Sequence, residues 1–328
     1  MPNLKIGIIG TGVMGAGHAR FLRENVPGAD VVAITDVDEK RAHELIKDLG
    51  GSIEFFSSAE TLMARGGLDG LIIASPDALH VEHLRLAIKH KIPTLCEKPI
   101  ATNIEDAEII TSEILEFEKS MNQPMIHFGF MRRFDPSYVK VKAMIESKDY
   151  GAPLFVRTIT RNVSSFGITT EGLYTNIAVH DFDVWHWLLK DDWVSVSTHY
   201  PKPSSLSPDG LIDPLVFTAT LSGGVLMVAD IVANNNYGYD VRTEVLCERG
   251  SIEIGIFGDV ITRANHEAQA PLGGTMVENW MPRFEDAYIQ ELIAWTAFLA
   301  TKEINLDLAT ATDGLKATQA CALGLGSI

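Results

Sequence analysis

Six residues near the start of the chain, Gly10-Thr11-Gly12-Val13-Met14-Gly15, restrict the fold more than any other stretch. They stand between an apolar run, Leu4-Lys5-Ile6-Gly7-Ile8-Ile9, and a segment whose Ala16, Ala19, Phe21 and Leu22 follow a helical pattern. A glycine-rich turn between strand and helix is suited to a dinucleotide. Gly10 permits the tight turn, Gly12 lets the backbone close on a pyrophosphate with Val13 and Met14 beside it, and Gly15 lets helix and strand pack closely. The helix N-terminus adds free N–H groups and a positive dipole end. A second strand over 30–36 ends in Asp36, about 20 residues past the glycines, where a carboxylate accepts from a ribose 2′-hydroxyl and repels a 2′-phosphate. The expected cofactor is therefore NAD rather than NADP. Arg41 is capable of binding a phosphate, but its position reads as an exposed residue of a helix over 38–49.

The alternation continues. Strands at 53–56, 68–74, 94–96 and 125–128, with helices at 79–90 and 103–119, imply parallel βαβ units and a Rossmann domain over residues 1–126. Asn103 suits an N-cap. Ser75 and Pro76 follow the fourth strand at the carboxyl edge and are expected to line the nicotinamide side, with His80 capping or lining the same cleft. His80 and His83 are three apart, yet nothing nearby completes a ligand set, so no metal is expected. Cys96-Glu97-Lys98-Pro99-Ile100 closes the fifth strand. That aims Lys98 into the crevice where cofactor meets substrate, with Glu97 beside it and Cys96 as a small buried residue.

At 328 residues and 46% apolar content the chain has enough for two domains. A formal net charge of -16 argues against a nucleic-acid backbone or an anionic membrane as partner and favours a small neutral substrate. Three scattered cysteines without a CxxC pair fit a reducing cytoplasm. The N-terminus lacks the pattern of a secretory signal, and no apolar run reaches the roughly 18 residues of a membrane span. A soluble, cytoplasmic protein is expected.

Past residue 126 the texture changes to an α+β domain over 127–328. A helix at 137–147 precedes strands at 154–161 and 194–200, a hairpin of 215–221 with 225–233, and strands at 243–248 and 251–257. Such an open, mostly antiparallel sheet buries one face on helices and leaves the other for a partner subunit. Between its first two strands, Asn176 and His180 are four apart, so on a helix they share a face. A neutral imidazole there is suited to taking a proton from a hydroxyl. Asp181 and Asp183 are expected to face solvent or cap neighbouring chain, and His186 to be structural. Helices over 280–299 and 309–323 end the chain, the last packing back near the domain junction.

At these residues the chain resembles the Gfo/Idh/MocA oxidoreductases, and within them the inositol 2-dehydrogenases acting on myo- or scyllo-inositol. The general marks are Gly10-x-Gly12-x-x-Gly15, Asp36, Glu97-Lys98-Pro99 and the helix carrying His180. Those of the inositol branch are Met131-Arg132-Arg133-Phe134-Asp135, Arg161-Asn162, Tyr237-Gly238-Tyr239-Asp240 and Trp280-x-x-Arg283-Phe284-x-x-Ala287-Tyr288. The resemblance implies a Rossmann domain followed by an open-sheet domain, assembly into dimers or tetramers through that sheet, and NAD-dependent oxidation of a cyclic polyol in inositol catabolism. It implies a catalytic set of lysine, aspartate and a histidine four residues later. Lys98 and His180 match, and Asn176 stands where the family has aspartate. The inositol branch has histidine before its arginine–asparagine pair, where this chain has Thr160. Arg132, Thr160, Asn176, His180, Tyr239 and Tyr288 are implied around the substrate with Lys98, and Tyr237 and Arg161 lie close to that set. Two alternatives stay open: a dehydrogenase of another inositol isomer or an aldose, and a dinucleotide-binding sensor without turnover.

Overall fold

Strands buried on both faces need no polar alternation, and the amino-terminal half is built from them. β1 (Leu4–Ile9), β2 (Ala29–Thr35), β3 (Glu54–Phe56), β4 (Gly70–Ile73), β5 (Thr94–Glu97) and β6 (Ile126–Gly129) form one parallel sheet in the order β3-β2-β1-β4-β5-β6. Every residue of β4, β5 and β6 is buried. This computed structural model describes residues 3–165, 167–235, 237–255, 260–264, 267–269 and 277–327. The strand order reverses beside β1, so the glycine turn that follows β1 lies at the switch point where such sheets take ligands.

Helices α1 (Val13–Asn25), α2 (Glu39–Leu49), α3 (Ala59–Ala64), α4 (His80–His90) and α5 (Ile104–Met121) alternate with these strands. Asn103 caps α5, accepting from the Asp106 N–H at 2.9 Å. The short α3 has no counterpart among the sequence expectations. Ser58 and Thr61 form a capping box at its start, a local signal that six residues of weak amphipathicity do not amplify. A 3₁₀ turn, Asp77–Leu79, delays α4 to His80.

The expected domain break after residue 126 falls instead at Met131, and the chain comes back. The first compact unit comprises Met1–Met131 and Tyr288–Thr318. Packing explains the return. A Cβ on Gly70 of β4 would lie 2.6 Å from Leu299 and 2.7 Å from the Trp295 ring, and Ala309 bridges to Phe128 of β6. Gly314 then sits against Ile100 and Phe128.

The second unit comprises Arg132–Ala287 and Gln319–Ile328. It contains α6 (Pro136–Ser147) and an eight-stranded sheet. In chain order its strands are β7 (Pro153–Arg161), β8 (Trp193–His199), β9 (Leu215–Leu221), β10 (Leu226–Val232), β11 (Asp240–Cys247), β12 (Gly250–Ile254), β13 (Val260–Ala264) and β14 (Glu267–Gln269). They lie in the order β14-β13-β12-β11-β7-β10-β9-β8; only β7 and β10 pair in parallel. The strand expected over 251–257 runs in part outside the described residues. β9 alternates strictly between buried and half-buried positions, the pattern of a sheet with one face on the core. That core gathers Tyr174, Phe182 and Phe217, with ring centroids 5.3–5.5 Å apart, together with Trp185.

Between β7 and β8 the expected helix is not uniform. A short turn, α7 (Thr170–Gly172), passes into a π-helical stretch, Leu173–Ala178, and then into α8 (Val179–Leu189). The carboxyl end of the chain braces the wide turn. Gly324 packs on the Tyr174 ring, and the Cys321 thiol donates to the Tyr174 carbonyl. The last two helices are α9 (Trp280–Thr301), kinked at Phe284, and α10 (Ala311–Leu325).

Candidate active site

The glycine turn separates into two structural glycines and one that faces open space. Gly10 has φ +90°, and a Cβ there would lie 2.4 Å from the Ala74 carbonyl oxygen. A Cβ on Gly15 would lie 1.9 Å from the Gly10 carbonyl oxygen. Around Gly12 nothing comes within 4 Å of such a Cβ, which leaves the room a pyrophosphate needs against the backbone. Gly12 caps α1 without a side chain, so the first-turn N–H groups remain for an anion. Val13 is exposed and Met14 half-buried beside them. These features fit a dinucleotide.

Asp36 ends this cradle. Its Oδ2 accepts from the Thr11 N–H at 2.5 Å and the Thr11 hydroxyl at 2.8 Å. Its Oδ1 accepts from the Asp38 N–H at 2.8 Å and from Arg41 Nη2 at 2.8 Å. Burial opposes ionisation of Asp36, yet these donors outweigh it and hold the carboxyl below its ordinary value. Arg41 is thus an exposed side chain whose tip is engaged.

At the carboxyl edge of β4, the Ser75 hydroxyl shares a hydrogen bond with His83 Nδ1 at 2.9 Å, and Pro76 is exposed. Burial holds His83 below the ordinary imidazole value. His80 is fully buried, with Nδ1 2.7 Å from the Pro99 carbonyl and Nε2 3.0 Å from the Ser75 carbonyl. It fastens the loop after β4 to the loop after β5. Among the described residues no cluster of three or more His, Cys, Asp or Glu is placed to hold a metal ion.

Glu97 is buried and accepts from His18 Nε2 at 2.7 Å. Burial opposes its charge, but His18 and the nearby Lys98 hold its carboxyl below the usual range. Lys98 follows, half-buried, after Cys96, whose thiol burial pushes up. Tyr288 is buried within the same unit, edge-on to His18 at 5.9 Å and stacked on Phe21 at 6.4 Å.

In the second unit Asn176 lies in the π turn and His180 in the first turn of α8, both half-buried. π turns occur most often at functional sites. Asp181 and Asp183 do not face solvent. Their side chains are 1% exposed, and each meets a buried arginine at 2.6 Å, Arg132 for Asp181 and Arg133 for Asp183. Two carboxylates among Phe182, Val184 and Trp185 stay charged only with cations brought in from elsewhere. A third pair joins Arg283 to Asp135 at 2.6 Å, and Asp135 also caps α6. Phe284 lies against both flanking arginines, 5.7 Å from Arg132 and 4.5 Å from Arg283.

Thr160 is buried on β7, and its hydroxyl has no hydrogen-bond partner among the described residues. Tyr239 packs edge-on to Phe284 at 6.4 Å, and burial pushes its phenol up to about 12, so it remains a donor. Arg161 is committed to Asp230, donating to its carbonyl and pairing with its carboxylate. The exposed Tyr237 donates to Asp240 at 2.8 Å.

Sequence reasoning missed His18, Thr11 and the acidic partners of the arginines. The signal for the last was present: charges inside an apolar helix demand partners, and Arg132-Arg133 offers two. His18 carries no such mark, since a histidine in the first helix resembles any other.

Comparison with known proteins matches this architecture. The oxidoreductase family GFO/IDH/MocA, with its NAD-binding Rossmann fold, matches residues 4–121, and the GFO/IDH/MocA C-terminal domain matches residues 138–253. Inositol 2-dehydrogenase 4 of Saccharopolyspora erythraea is 31% identical over 325 residues, covering 99% of this chain and 93% of that protein. Inositol 2-dehydrogenase 2 of the same organism is 35% identical over 312 residues, covering 95% and 89%. The crystal structure of myo-inositol dehydrogenase from Lactobacillus casei, in complex with NAD(H) and myo-inositol, is similar at a TM-score of 0.89 and 29% identity, covering 99% of this chain and 94% of that one. With both halves matched over most of their length and a glycine cradle ending in Asp36, the chain belongs to the Gfo/Idh/MocA oxidoreductases and binds NAD through its Rossmann domain.

Proposed function

We propose that this oxidoreductase oxidises one secondary hydroxyl of an inositol to a ketone with NAD as acceptor. The observation that carries the reading is similarity, nearly end to end, to proteins named inositol 2-dehydrogenases. Bound NAD supplies the hydride acceptor; the chain's own side chains do the rest. His180 takes the hydroxyl proton on its imidazole. Lys98 donates to the substrate oxygen as it becomes an alkoxide and then a ketone. Asn176 donates to or accepts from the reacting hydroxyl but takes up no charge, so the proton rests with His180 alone.

Arg132, Thr160, Tyr239 and Tyr288 hold the remaining hydroxyls, Thr160 through its hydroxyl and Tyr239 as a phenol donor. Ser75, Pro76, His80 and Glu97 shape the cofactor side, the last two by fastening the loops that flank Lys98. The open sheet joins copies of the chain into a dimer or tetramer, and the site of action is the cytoplasm. Among the described residues no helix is long and apolar enough to cross a membrane.

NADH formation tests the reading, with myo-, scyllo- and D-chiro-inositol, glucose and xylose as substrates. Turnover of one inositol supports it. Asn176 and Thr160, at positions where the inositol branch has other residues, favour a second reading in which an aldose is preferred, and a sugar-only response selects that. NADH binding with no turnover across the panel points to a dinucleotide sensor.

A further inference from the structure

The Asp36 carboxylate is saturated. A carboxylate has about four acceptor positions, and here Thr11 N–H, Thr11 hydroxyl, Asp38 N–H and Arg41 Nη2 take them at 2.5, 2.8, 2.8 and 2.8 Å. Three of these donors are fixed by the two turns that flank the carboxylate. The fourth arrives on a long side chain that is 47% exposed, against 3% for Asp36. A ribose hydroxyl that reaches Asp36 therefore competes with Arg41, the only one of the four able to swing away without moving backbone.

We propose that Arg41 is a specificity-determining residue of the cofactor site, and that it makes this protein tolerate a dinucleotide bearing a 2′-phosphate as a second cofactor. An unpaired Asp36 would repel such a phosphate outright. Paired, its charge is largely offset, and a guanidinium that pivots off the carboxylate presents a fork of N–H donors matched to phosphate oxygens. The first turn of α2 adds its positive dipole end at the same place. The nearest competing acid, Asp38, is engaged as the α2 cap, accepting the Arg41 N–H at 3.1 Å. Lys40, one residue away, points elsewhere, to Glu44 at 3.9 Å. The inference rests on the NAD site alone and is independent of which polyol is oxidised.

Fluorescence titration with NADH and with NADPH tests it on the purified full chain, comparing wild type, Arg41→Ala, Asp36→Ser and the double variant. Arg41→Ala lowers NADPH affinity about tenfold more than NADH affinity, the scale of one charge-assisted hydrogen bond. Asp36→Ser raises NADPH affinity about tenfold, and the double variant loses that gain. The proposal is overturned if Arg41→Ala leaves the NADPH-to-NADH ratio unchanged, or if the double variant keeps the full gain of Asp36→Ser. Each ratio is taken on one preparation, so partial unfolding cancels. No polyol enters the assay, so a wrong substrate assignment leaves its outcome intact.

Discussion

Asp181, the residue after His180, holds Arg132 at 2.6 Å with both side chains sealed from water. Removing one partner strands the other charge in a low-dielectric interior. Asp181→Ala is expected to cost about 3–5 kcal/mol of stability, and Arg132→Met a similar amount. The joint change Arg132→Met with Asp181→Leu costs less than the two single losses added, because no charge is left behind. Urea denaturation of the four proteins measures this, and strict additivity would show that the pair is not a unit.

Gly12 and Gly15 separate folding from binding. Gly15→Ala drives a Cβ into the Gly10 carbonyl, so the turn must deform and the melting temperature must fall. Gly12→Ala meets nothing in the protein, and its φ of -63° suits alanine. It leaves the melting temperature near wild type while weakening NADH binding, since the new methyl lies where the pyrophosphate approaches. Equal melting losses for the two variants would contradict the assignment.

Lys98→Met lowers kcat by about 10²–10⁴-fold, the range for a group assisting proton movement and oxyanion charge. NADH affinity falls far less. Steady-state rates set beside a binding isotherm distinguish the two effects. Turnover near wild type removes Lys98 from the chemistry.

Asn176→Asp places a carboxylate where the family's pattern has one. A negative charge one turn before His180 favours the imidazolium, so the acid limb of the kcat/KM profile moves to higher pH. The profile is read from pH 5 to 9, roughly the interval in which imidazole titrates. An unmoved limb would mean that Asn176 does not address His180.

Burial lowers His127 from 6.5 to about 4. The folded state thus keeps this imidazole neutral while the unfolded chain takes a proton. Its contribution is complete above pH 6.5 and is lost as pH falls toward about 4, by at most about 3 kcal/mol. His127→Phe is expected to flatten the stability profile over that window in denaturation at stepped pH.

What was legible in the sequence was local. The glycine turn, Asp36, the Asn103 cap and the hairpin at Ser222-Gly223-Gly224 are each specified by neighbours a few residues apart, and each lies where the pattern puts it. What was not legible depends on distance along the chain. His18 meets Glu97 79 residues away, and Arg132 meets Asp181 49 residues away. No periodicity encodes such pairings, which is why Asp181 and Asp183 read as surface charges. The π turn escaped for another reason: Tyr174, Ile177 and Ala178 satisfy an α pattern equally well, and the extra width follows from packing against Gly324.

The return of Tyr288–Thr318 to the first unit fixes when that unit is complete on the ribosome. All six strands of its sheet have emerged once residue 129 is made, but Gly70 waits for Trp295 and Leu299, and Phe128 waits for Ala309. Until then apolar strands that end fully buried remain uncovered, an aggregation hazard that lasts through synthesis of the second unit. A fragment ending at Met131 inherits that exposure permanently, so the nucleotide-binding half is not a transplantable module despite its contiguous motifs.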